Sequence, residues 1–447
     1  MKRVSPTLVL QGEHRIMAIN FFDIAYGFGV GISAPVWVVR SKTRTKVLDA
    51  FAKRMGHVAP PRQNAGPTVM IHAVSVGELN ASRQLIDALK QHDPAMHLVI
   101  STTTETGYAR AQELYANRDD VTLIRYPLDF TAAVRRVLDT LKPVLVILME
   151  LELWPNFVGQ CFERGIKVVV ANGRITETSY KGYRVGSWLT RRMFNRLAAV
   201  CAQEQIHADR FITLGADPAR TTVTGTMKFD TAPQSQHIPG TRELAEDLSL
   251  RSPLWVCGST GPGEEEIILQ TYQSLLKDVP ELQLAIIPRK PERFDEVAKR
   301  IEEAGFNCLR RSQPQPATSD ARTVILGDTM GELRKFYANA DVVLVGRTLL
   351  DLGEKQHGSD MIEPTALGKP TIVGAFTGNF TDVMNALRAG QAIVEIKKAD
   401  ELRAAVLNLL QLPGDIGLRA ERVVEAQRGA TQRTLERVLP LLSQSLQ

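Results

Sequence analysis

Short apolar runs alternate with amphipathic segments along most of the chain. Thr68–Ser75 and Pro143–Glu150 are largely apolar, as strands buried on both faces should be. The segment Leu79–Gln91 instead repeats its apolar residues at the three- and four-residue spacing of a helix. These residues are Leu79, Leu85, Ile86 and Leu89. Because strands and helices alternate, the pattern predicts an α/β fold with parallel sheets.

The alternation forms two series, separated by the Pro-, Gln- and Ser-rich stretch Thr224–Gly240, which we interpret as a linker. A chain of 447 residues is also too long for one ordinary core. We therefore predict two doubly wound domains, at residues 60–232 and 241–447. Ligands of such folds bind at the carboxyl ends of the strands, so we expect a site there and in a cleft between the domains. The predicted strands are 68–75, 97–102, 143–150, 167–174, 197–204, 254–260, 282–289, 323–328, 341–346 and 370–376.

Residues 17–46 have a different pattern. Ile19–Val39 is largely apolar, is broken only by Asp23, and is close to the length of about 20 residues that crosses a bilayer. Basic residues follow it between Arg40 and Lys46, as expected for a flank on the cytoplasmic side. The segment predicts a single N-terminal membrane anchor. The alternative is a glycine-rich helix packed on the body of the protein.

Composition narrows the classes of function. The chain has 44% hydrophobic and 23% charged residues, which is typical of a folded globular protein. Its net charge of +5 suits an anionic substrate or an anionic membrane surface, and no nucleic-acid-binding motif accompanies it. The four cysteines lack metal-site spacing, and zinc-protease and P-loop motifs are absent. We expect no metal, no cofactor and no nucleic-acid partner.

Acidic residues follow two predicted strands in the first half. Ser75-x-x-Glu78 fits a capping box, in which the serine caps a helix and the glutamate reaches back, and local pattern favours this interpretation. The same carboxylate, directly after Gly77 at a strand end, also suits a general base. Glu150 and Glu152 are two residues apart, so both carboxylates face one side if their strand continues. A solvated strand end is the alternative for that pair.

Four segments of the second half also follow strands, and each has a structural alternative. The small-residue loop of Cys257–Glu266 suits a phosphate at a helix N-terminus, but its glutamates also suit the helix dipole alone. Arg289, between two prolines, suits a phosphate or carboxylate, or else a surface ion pair. Thr329-x-x-Glu332 is a second capping box, while Gly331 could open backbone amides to an anion. Glu363 precedes a proline at a predicted helix start, where it could accept hydrogen bonds from a ribose.

Longer motifs, taken in chain order, resemble one known family. They are HAVSVGE, ELELWPN, ANGRIT followed by GYR, VTGTMKFD, GSTGPGEE, PRKPERF, GDTMGELRKFYANADVVLVG and IEPTALGKP, within residues 68–382. These motifs resemble the 3-deoxy-D-manno-octulosonic acid (Kdo) transferases of lipopolysaccharide synthesis. The resemblance implies the GT-B fold, with two Rossmann-like domains facing a cleft, the first binding the acceptor and the second binding the donor. It also implies inverting, metal-independent transfer of Kdo from CMP-Kdo to a lipid A precursor at the cytoplasmic side of the inner membrane.

The resemblance further implies roles for individual residues. Glu78 matches the general base that deprotonates the acceptor hydroxyl, which reverses the local preference for a cap. Glu150 and Lys228 match positions that stabilise the transition state, and a lysine there would place a point charge near the departing phosphate. The residues that match the CMP-binding segments are Pro288, Arg289, Met330, Gly331, Glu332, Asp360, Met361, Ile362 and Glu363.

The chain departs from the family pattern in places. Gly261 and Lys290 stand where family members usually have histidine. The loop EKQHGSDMIEP has two extra residues between His357 and Asp360, and Asp360 replaces an asparagine. Two further replacements are Leu151 for threonine and Gly173 for alanine.

These departures leave other functions open. One is a divergent GT-B transferase that uses another CMP-sugar or a UDP-sugar, and another is an epimerase of the same architecture. A non-catalytic two-lobed binding protein is a third class, although such a protein would need export, which the basic flank after Val39 disfavours.

Overall fold

The structure is a computed structural model that describes residues 22–24, 26–27, 51–62, 66–232, 238–313, 322–353 and 356–445. These residues form two compact units. One unit runs up to Met227 and includes the chain again from Gly429, and the other is Lys228–Arg428. Each unit contains a sheet of seven parallel strands.

The sheet of the first unit has the strand order β3-β2-β1-β4-β5-β6-β7. Its elements are β1 (Thr68–His72), α1 (Val76–His92), β2 (His97–Thr102), α2 (Glu105–Tyr115), β3 (Val121–Arg125), α3 (Thr131–Leu141), β4 (Leu145–Met149), α4 (Pro155–Glu163), β5 (Lys167–Gly173), α5 (Glu177–Val185), α6 (Ser187–Phe194), β6 (Ala199–Ala202), α7 (Gln205–Leu214) and β7 (Thr221–Val223). Helices cover both faces, so successive residues of one strand enter different cores: Met70 lies in one apolar cluster and Ile71 in the other.

The sheet of the second unit has the order β10-β11-β9-β8-β12-β13-β14. Its elements are α8 (Thr241–Asp247), β8 (Leu254–Thr260), α9 (Glu264–Leu275), β9 (Gln283–Pro288), α10 (Phe294–Glu303), β10 (Asn307–Arg310), β11 (Thr323–Leu326), α11 (Leu333–Asn339), β12 (Val342–Val345), α12 (Ile362–Ala366), β13 (Thr371–Val373), α13 (Thr381–Ala389), β14 (Val394–Glu395), α14 (Leu402–Gln411) and α15 (Ile416–Gln427). The predicted α/β fold with two parallel sheets is thus confirmed.

The strand order reverses at one place in each sheet. In the first unit the chain moves from β1 to β2 on one side and later to β4 on the other, so the reversal lies between β1 and β4. In the second unit the equivalent place lies between β8 and β12. Loops diverge there and leave a crevice at the carboxyl ends of the strands, which is where open α/β sheets bind their ligands.

The last helix, α16 (Ala430–Ser445), returns to the first unit. Its buried residues join the apolar cluster that contains Val69, Ile71 and Leu145 of the first sheet. The domain prediction of residues 241–447 therefore needs correction at its C-terminal end, because the apolar face of this helix is covered by the first sheet. The residues on that face are Ala430, Leu435, Val438 and Leu442.

The predicted membrane anchor, residues 17–46, lies mostly outside the described residues. No helix among the residues that the structure describes is both long and apolar enough to cross a membrane. Asp23, the one charge in the apolar stretch, accepts hydrogen bonds from the Thr131 backbone N–H at 2.7 Å and hydroxyl at 2.8 Å. These contacts cap the start of α3, whose own N-cap residue makes no side-chain cap.

One buried carboxylate joins the loops that flank the reversal in the second unit. Glu264, at the start of α9, is fully buried. Its Oε2 accepts the N–H groups of Gly261 at 2.8 Å and Arg347 at 2.6 Å, and its Oε1 accepts those of Thr348 and Leu349, both at 2.9 Å. Burial raises the pKa of Glu264 above its ordinary value, and these four N–H donors counteract that shift. The loop after β8 is thereby tied to the loop after β12.

We predict that Glu264→Ala destabilises the second unit by about 3 kcal/mol or more, since it leaves several buried N–H groups without an acceptor. Hydrogen exchange of the amides at 347–349 should accelerate in step with that loss. Glu303→Ala is the matched control, because it removes an exposed glutamate whose pair with Lys299 contributes little. Unchanged protection of these amides in Glu264→Ala would contradict the role assigned to the carboxylate.

Candidate active site

Glu78 lies in the first turn of α1, at the strand reversal of the first unit. The Ser75 side chain accepts the Glu78 N–H at 3.4 Å, and the Glu78 carboxylate accepts the Ser75 hydroxyl at 3.0 Å and the Val74 N–H at 2.8 Å. The capping interaction predicted from Ser75-x-x-Glu78 is therefore present, with Val74 rather than Ser75 as the backbone donor. It anchors the carboxylate at the carboxyl end of β1.

The electrostatic surroundings favour the protonated form of Glu78. Burial raises the pKa of this carboxyl most, the negative charge of Glu150 raises it further, and the bonds from Val74 and Ser75 partly offset both effects. The resulting pKa is about 7. A carboxyl with this pKa can both take up and release a proton near neutral pH, which is the property a general base needs.

Space is available next to this carboxylate. Within the described structure, a Cβ added at Gly77 would meet nothing nearer than the Ser75 Oγ, at 3.8 Å. The packing of the protein does not require a glycine here, and the residue is exposed. The absence of a side chain at residue 77 thus leaves room for a ligand against the backbone.

Glu150 follows β4 on the other side of the same reversal. It adopts φ of +56°, in the left-handed region, and its N–H bonds to the Ala171 carbonyl at 2.9 Å. The condition for Glu150 and Glu152 to share a strand face is not met, because β4 ends at Met149 and the backbone turns at Glu150. A glutamate held in this conformation costs about 1 kcal/mol or more, and such strain is concentrated at functional sites.

A pocket of about 300 Å³ is lined in part by the segment that follows Glu150 in the chain. Glu152 is one of its walls, and the Trp154 indole N–H donates to the Glu152 carboxylate at 2.7 Å. Burial raises the pKa of Glu152, and this hydrogen bond opposes the shift. Most of the lining is apolar and consists of Leu151, Leu153, Trp154, Pro155, Tyr183 and Met193, together with Thr190.

Arg289 lies at the carboxyl end of β9 in the second unit. Its N–H bonds to the Thr260 carbonyl at 3.1 Å, which places it beside the end of β8, and its side chain is exposed. Pro288 before it is buried as the last residue of β9. Among the described residues Arg289 makes no ion pair, so the surface salt bridge considered from sequence is not found there.

Lys228 and the Asp360–Glu363 segment belong to one electrostatic group. Asp360 accepts the Ile362 N–H at 2.8 Å, and burial and the charge of Glu363 raise its pKa while Lys228 counteracts them. The Lys228 Nζ lies 3.5 Å from the Asn379 carbonyl oxygen and 5.5 Å from the centre of the Phe380 ring. Met361 and Ile362 are buried at the start of α12 and hold this segment in the core.

Glu363 is already paired. The Arg334 Nε donates to its Oε1 at 2.7 Å, and the same arginine donates to the Thr231 carbonyl at 3.1 Å. The guanidinium therefore holds the carboxylate in a fixed position. A ribose hydroxyl would have to share Glu363 with Arg334.

Glu332 is engaged inside its own loop. Its carboxylate accepts hydrogen bonds from Thr329 Oγ1 at 2.6 Å, Arg311 Nε at 3.0 Å and Lys335 Nζ at 3.0 Å. None of these partners belongs to the predicted site. Burial raises the pKa of Glu332, but these donors outweigh it and lower the pKa to about 2. The neighbouring Met330 is 71% exposed, and Gly331 has φ of +85°. Met330 and Gly331 are thus the exposed residues of this loop that a ligand could contact.

Comparison with known proteins identifies the family. The family profile described as 3-Deoxy-D-manno-octulosonic-acid transferase (kdotransferase) matches residues 49–231. A 3-deoxy-D-manno-octulosonic acid transferase of Haemophilus influenzae is 34% identical, over 87% of this chain and 89% of its own length. The protein of the same name from Bordetella pertussis is 33% identical, over 84% of this chain and 87% of its own length. This chain belongs to the Kdo transferase family.

Solved structures share the fold of this Kdo transferase family member. A UDP-GlcNAc 2-epimerase from Neisseria meningitidis bound to UDP-GlcNAc has a TM-score of 0.55 and 13% identity, over 83% of this chain and all of that one. A glycosyltransferase from Rickettsia africae has a TM-score of 0.53 and 12% identity, over 84% and 98%. At these identities the likeness concerns the GT-B-like fold alone. Membership of the family confirms the predicted enzyme, a glycosyltransferase for Kdo transfer in lipopolysaccharide biosynthesis.

Two departures from the Kdo transferase pattern have a packing reason. A Cβ at Gly261 would lie 2.5 Å from Leu352 Cδ1 and 2.9 Å from Arg347 Cγ, so a histidine there would require both side chains to move. A Cβ at Gly173 would lie 3.0 Å from Phe211 Cε2, which leaves little room for alanine. Neighbouring side chains occupy both spaces.

Two arginines near the proposed site residues, Arg334 and Arg347, were not predicted from the sequence. Arg334 was not predicted because its partner Glu363 is 29 residues away in the chain. Arg347 had the same signal as Arg289, an arginine directly after an apolar strand, in the sequence DVVLVGR.

We predict that Glu332→Gln lowers stability by about 2 kcal/mol at pH 7, and that the gap to wild type closes towards pH 3. The folded pKa lies below the unfolded value, so the stabilisation is present above the unfolded value of 4.5 and is lost as pH falls towards 2. Denaturant unfolding at both pH values measures this. The control Glu246→Gln, in an exposed pair with Arg242, should change stability by less than about 0.5 kcal/mol. An equal gap at both pH values would contradict the assignment.

Proposed function

We propose that this chain transfers Kdo from CMP-Kdo to a lipid A precursor by inverting, metal-independent displacement. In this proposal the first unit binds the acceptor and the second binds the donor. The observation that carries it is the Glu78 carboxyl, which has a pKa of about 7 beside Glu150 at the strand reversal of the first unit. A group that exchanges a proton near neutral pH at this location has the properties of a base for an acceptor hydroxyl.

The proposed reaction is a single displacement. Glu78 takes the proton of the acceptor hydroxyl as its oxygen forms a bond to the anomeric carbon of Kdo. The bond from that carbon to the phosphate oxygen breaks, and CMP leaves with the bonding electrons. Glu150 keeps the proton affinity of Glu78 high through its charge, and stabilises the positive charge that develops on the sugar ring.

The second unit supplies groups that suit the donor. Arg289 is exposed at a strand end with its backbone fixed, and a guanidinium binds phosphate oxygens in bidentate fashion. Lys228 supplies a point charge for the departing phosphate. The Asp360–Glu363 segment provides carboxylates for the nucleoside hydroxyls. Met330 provides an exposed apolar surface for the nucleobase.

We also propose that the acceptor is a lipid and that the enzyme acts at the surface of the inner membrane. The largely apolar pocket formed by the segment after Glu150 suits an apolar part of the acceptor. Residues 17–46 would act as the N-terminal anchor that holds the enzyme at the cytoplasmic side, with their basic flank facing anionic lipid.

We predict that Glu78→Gln lowers kcat by about 100-fold or more without loss of thermal stability or CMP affinity. Glutamine still accepts the Val74 N–H, so the cap survives, but it cannot take up a proton. Ser75→Ala is the matched control: it loses the cap and about 1 kcal/mol of stability, yet keeps the base. CMP release from enzymatically generated CMP-Kdo, with a tetra-acylated lipid A precursor as acceptor, measures turnover.

The same assay can reject the proposal. If Glu78→Gln turns over at the wild-type rate, Glu78 is not the base. If the wild type binds CMP but releases none from CMP-Kdo, another donor or acceptor is used. Product masses would count the sugars added.

A further inference from the structure

Arg347 is the first residue after Gly346 at the end of β12, on the strand-reversal side of the second sheet. Its φ is +61°, in the left-handed region that glycine adopts at little cost and arginine adopts at a cost. The backbone conformation alone would favour glycine at this position, so the arginine side chain must have another role. Strained residues of this kind are common in ligand sites.

The Arg347 backbone is fixed by the buried Glu264 carboxylate. Its N–H donates to the buried Glu264 carboxylate at 2.6 Å, and the next two N–H groups donate to the same carboxylate. The side chain is half-buried, and its Cγ lies over Gly261, 2.9 Å from the place of a Cβ. The guanidinium therefore extends from a rigid point between the ends of β8 and β12.

A second arginine lies two strands away, on the other side of β8. β8 pairs with β9 on one side and with β12 on the other, and Arg289 follows β9 with its N–H on the Thr260 carbonyl. Burial and the positive charge of Arg289 lower the pKa of Arg347. In the described part of the chain neither arginine makes an ion pair with a carboxylate. Two positive charges are thus held on either side of the carboxyl end of β8.

We propose that Arg347 is a further donor-recognition residue, which binds an oxyanion of the nucleotide sugar together with Arg289 across the carboxyl end of β8. The inference deepens the proposed function and rests on it for the identity of the donor. Its own basis is the strained residue on a loop held by the Glu264 carboxylate, its place at the strand reversal, and the second arginine on the other side of β8.

The ligand chemistry is that of two anionic groups. A CMP-linked sugar acid carries a phosphodiester and a carboxylate, and either oxyanion fits the fork of a guanidinium. Two arginines match two negative charges. Because Arg347 lies deeper than the exposed Arg289, its contact should be shielded from water and correspondingly strong.

The test compares Arg347→Gly and Arg347→Lys with wild type in the full-length protein, by calorimetric titration with CMP and with cytidine. Glycine removes the side chain and suits the left-handed backbone, so the melting temperature should stay equal or rise. CMP affinity should fall by about tenfold or more in Arg347→Gly, with cytidine affinity unchanged. The CMP affinity of Arg347→Lys should lie between those of wild type and Arg347→Gly, since lysine keeps the charge but loses the forked guanidinium.

Gln391→Gly is the matched control, because Gln391 has φ of +50° on the surface of the same unit. It should change the melting temperature in the same direction as Arg347→Gly and leave CMP affinity unchanged. A second arm measures KM for CMP-Kdo in Arg347→Gly. If KM rises about tenfold while CMP affinity is unchanged, the oxyanion is the sugar carboxylate; a loss of CMP affinity identifies the phosphate.

The inference is overturned if Arg347→Gly changes neither CMP affinity nor KM, or if cytidine affinity falls as much as CMP affinity. Its failure is distinguishable from failure of the proposed function. A wild-type protein that binds CMP through Arg347 but does not transfer Kdo would refute the function and leave the site intact.

Discussion

A glutamate in the first turn of the helix that follows the first strand is the constraint on which both units depend. Glu78 has this position after β1 and Glu264 has it after β8. In each sheet the strand order reverses beside that strand, so the glutamate lies where two loops diverge. Both carboxylates accept backbone N–H groups and so fix a loop that a ligand would contact. The topology of each sheet places its glutamate at the strand reversal, and the hydrogen bonds of the carboxylate make the loops rigid.

The two glutamates differ in what remains of their hydrogen-bonding capacity. Glu264 accepts four backbone N–H groups, is fully buried, and is used entirely to join two loops. Glu78 accepts one backbone N–H and one hydroxyl, and it has the negative charge of Glu150 nearby. Its proton is therefore exchangeable near neutral pH. The same local position thus has a structural role in the second unit and, in our proposal, a chemical role in the first unit.

Much of this architecture was predictable from local pattern, and the failures have physical causes. All ten predicted strands are present, while the four that were missed, β3, β7, β10 and β14, are the four edge strands. Edge strands are only partly covered, so their apolar signal is weak: β10 and β14 contain no fully buried residue. The capping box at Glu78 was predictable from four consecutive residues. The turn at Glu150, the Arg334–Glu363 pair and the position of Arg347 depend on contacts between segments distant in sequence.

In our proposal Glu78 takes the proton of the acceptor hydroxyl, and the pH dependence of single-turnover Kdo transfer in wild type and Glu150→Gln tests this role. A base must be ionised to act, so the wild-type rate should rise with pH through an apparent pKa of about 7 and then level off. Removing the charge of Glu150 should move this rise to lower pH, since that charge favours the protonated form of Glu78. A rate that does not depend on pH between 5 and 8, or a rise at the same pH in both proteins, would contradict the account.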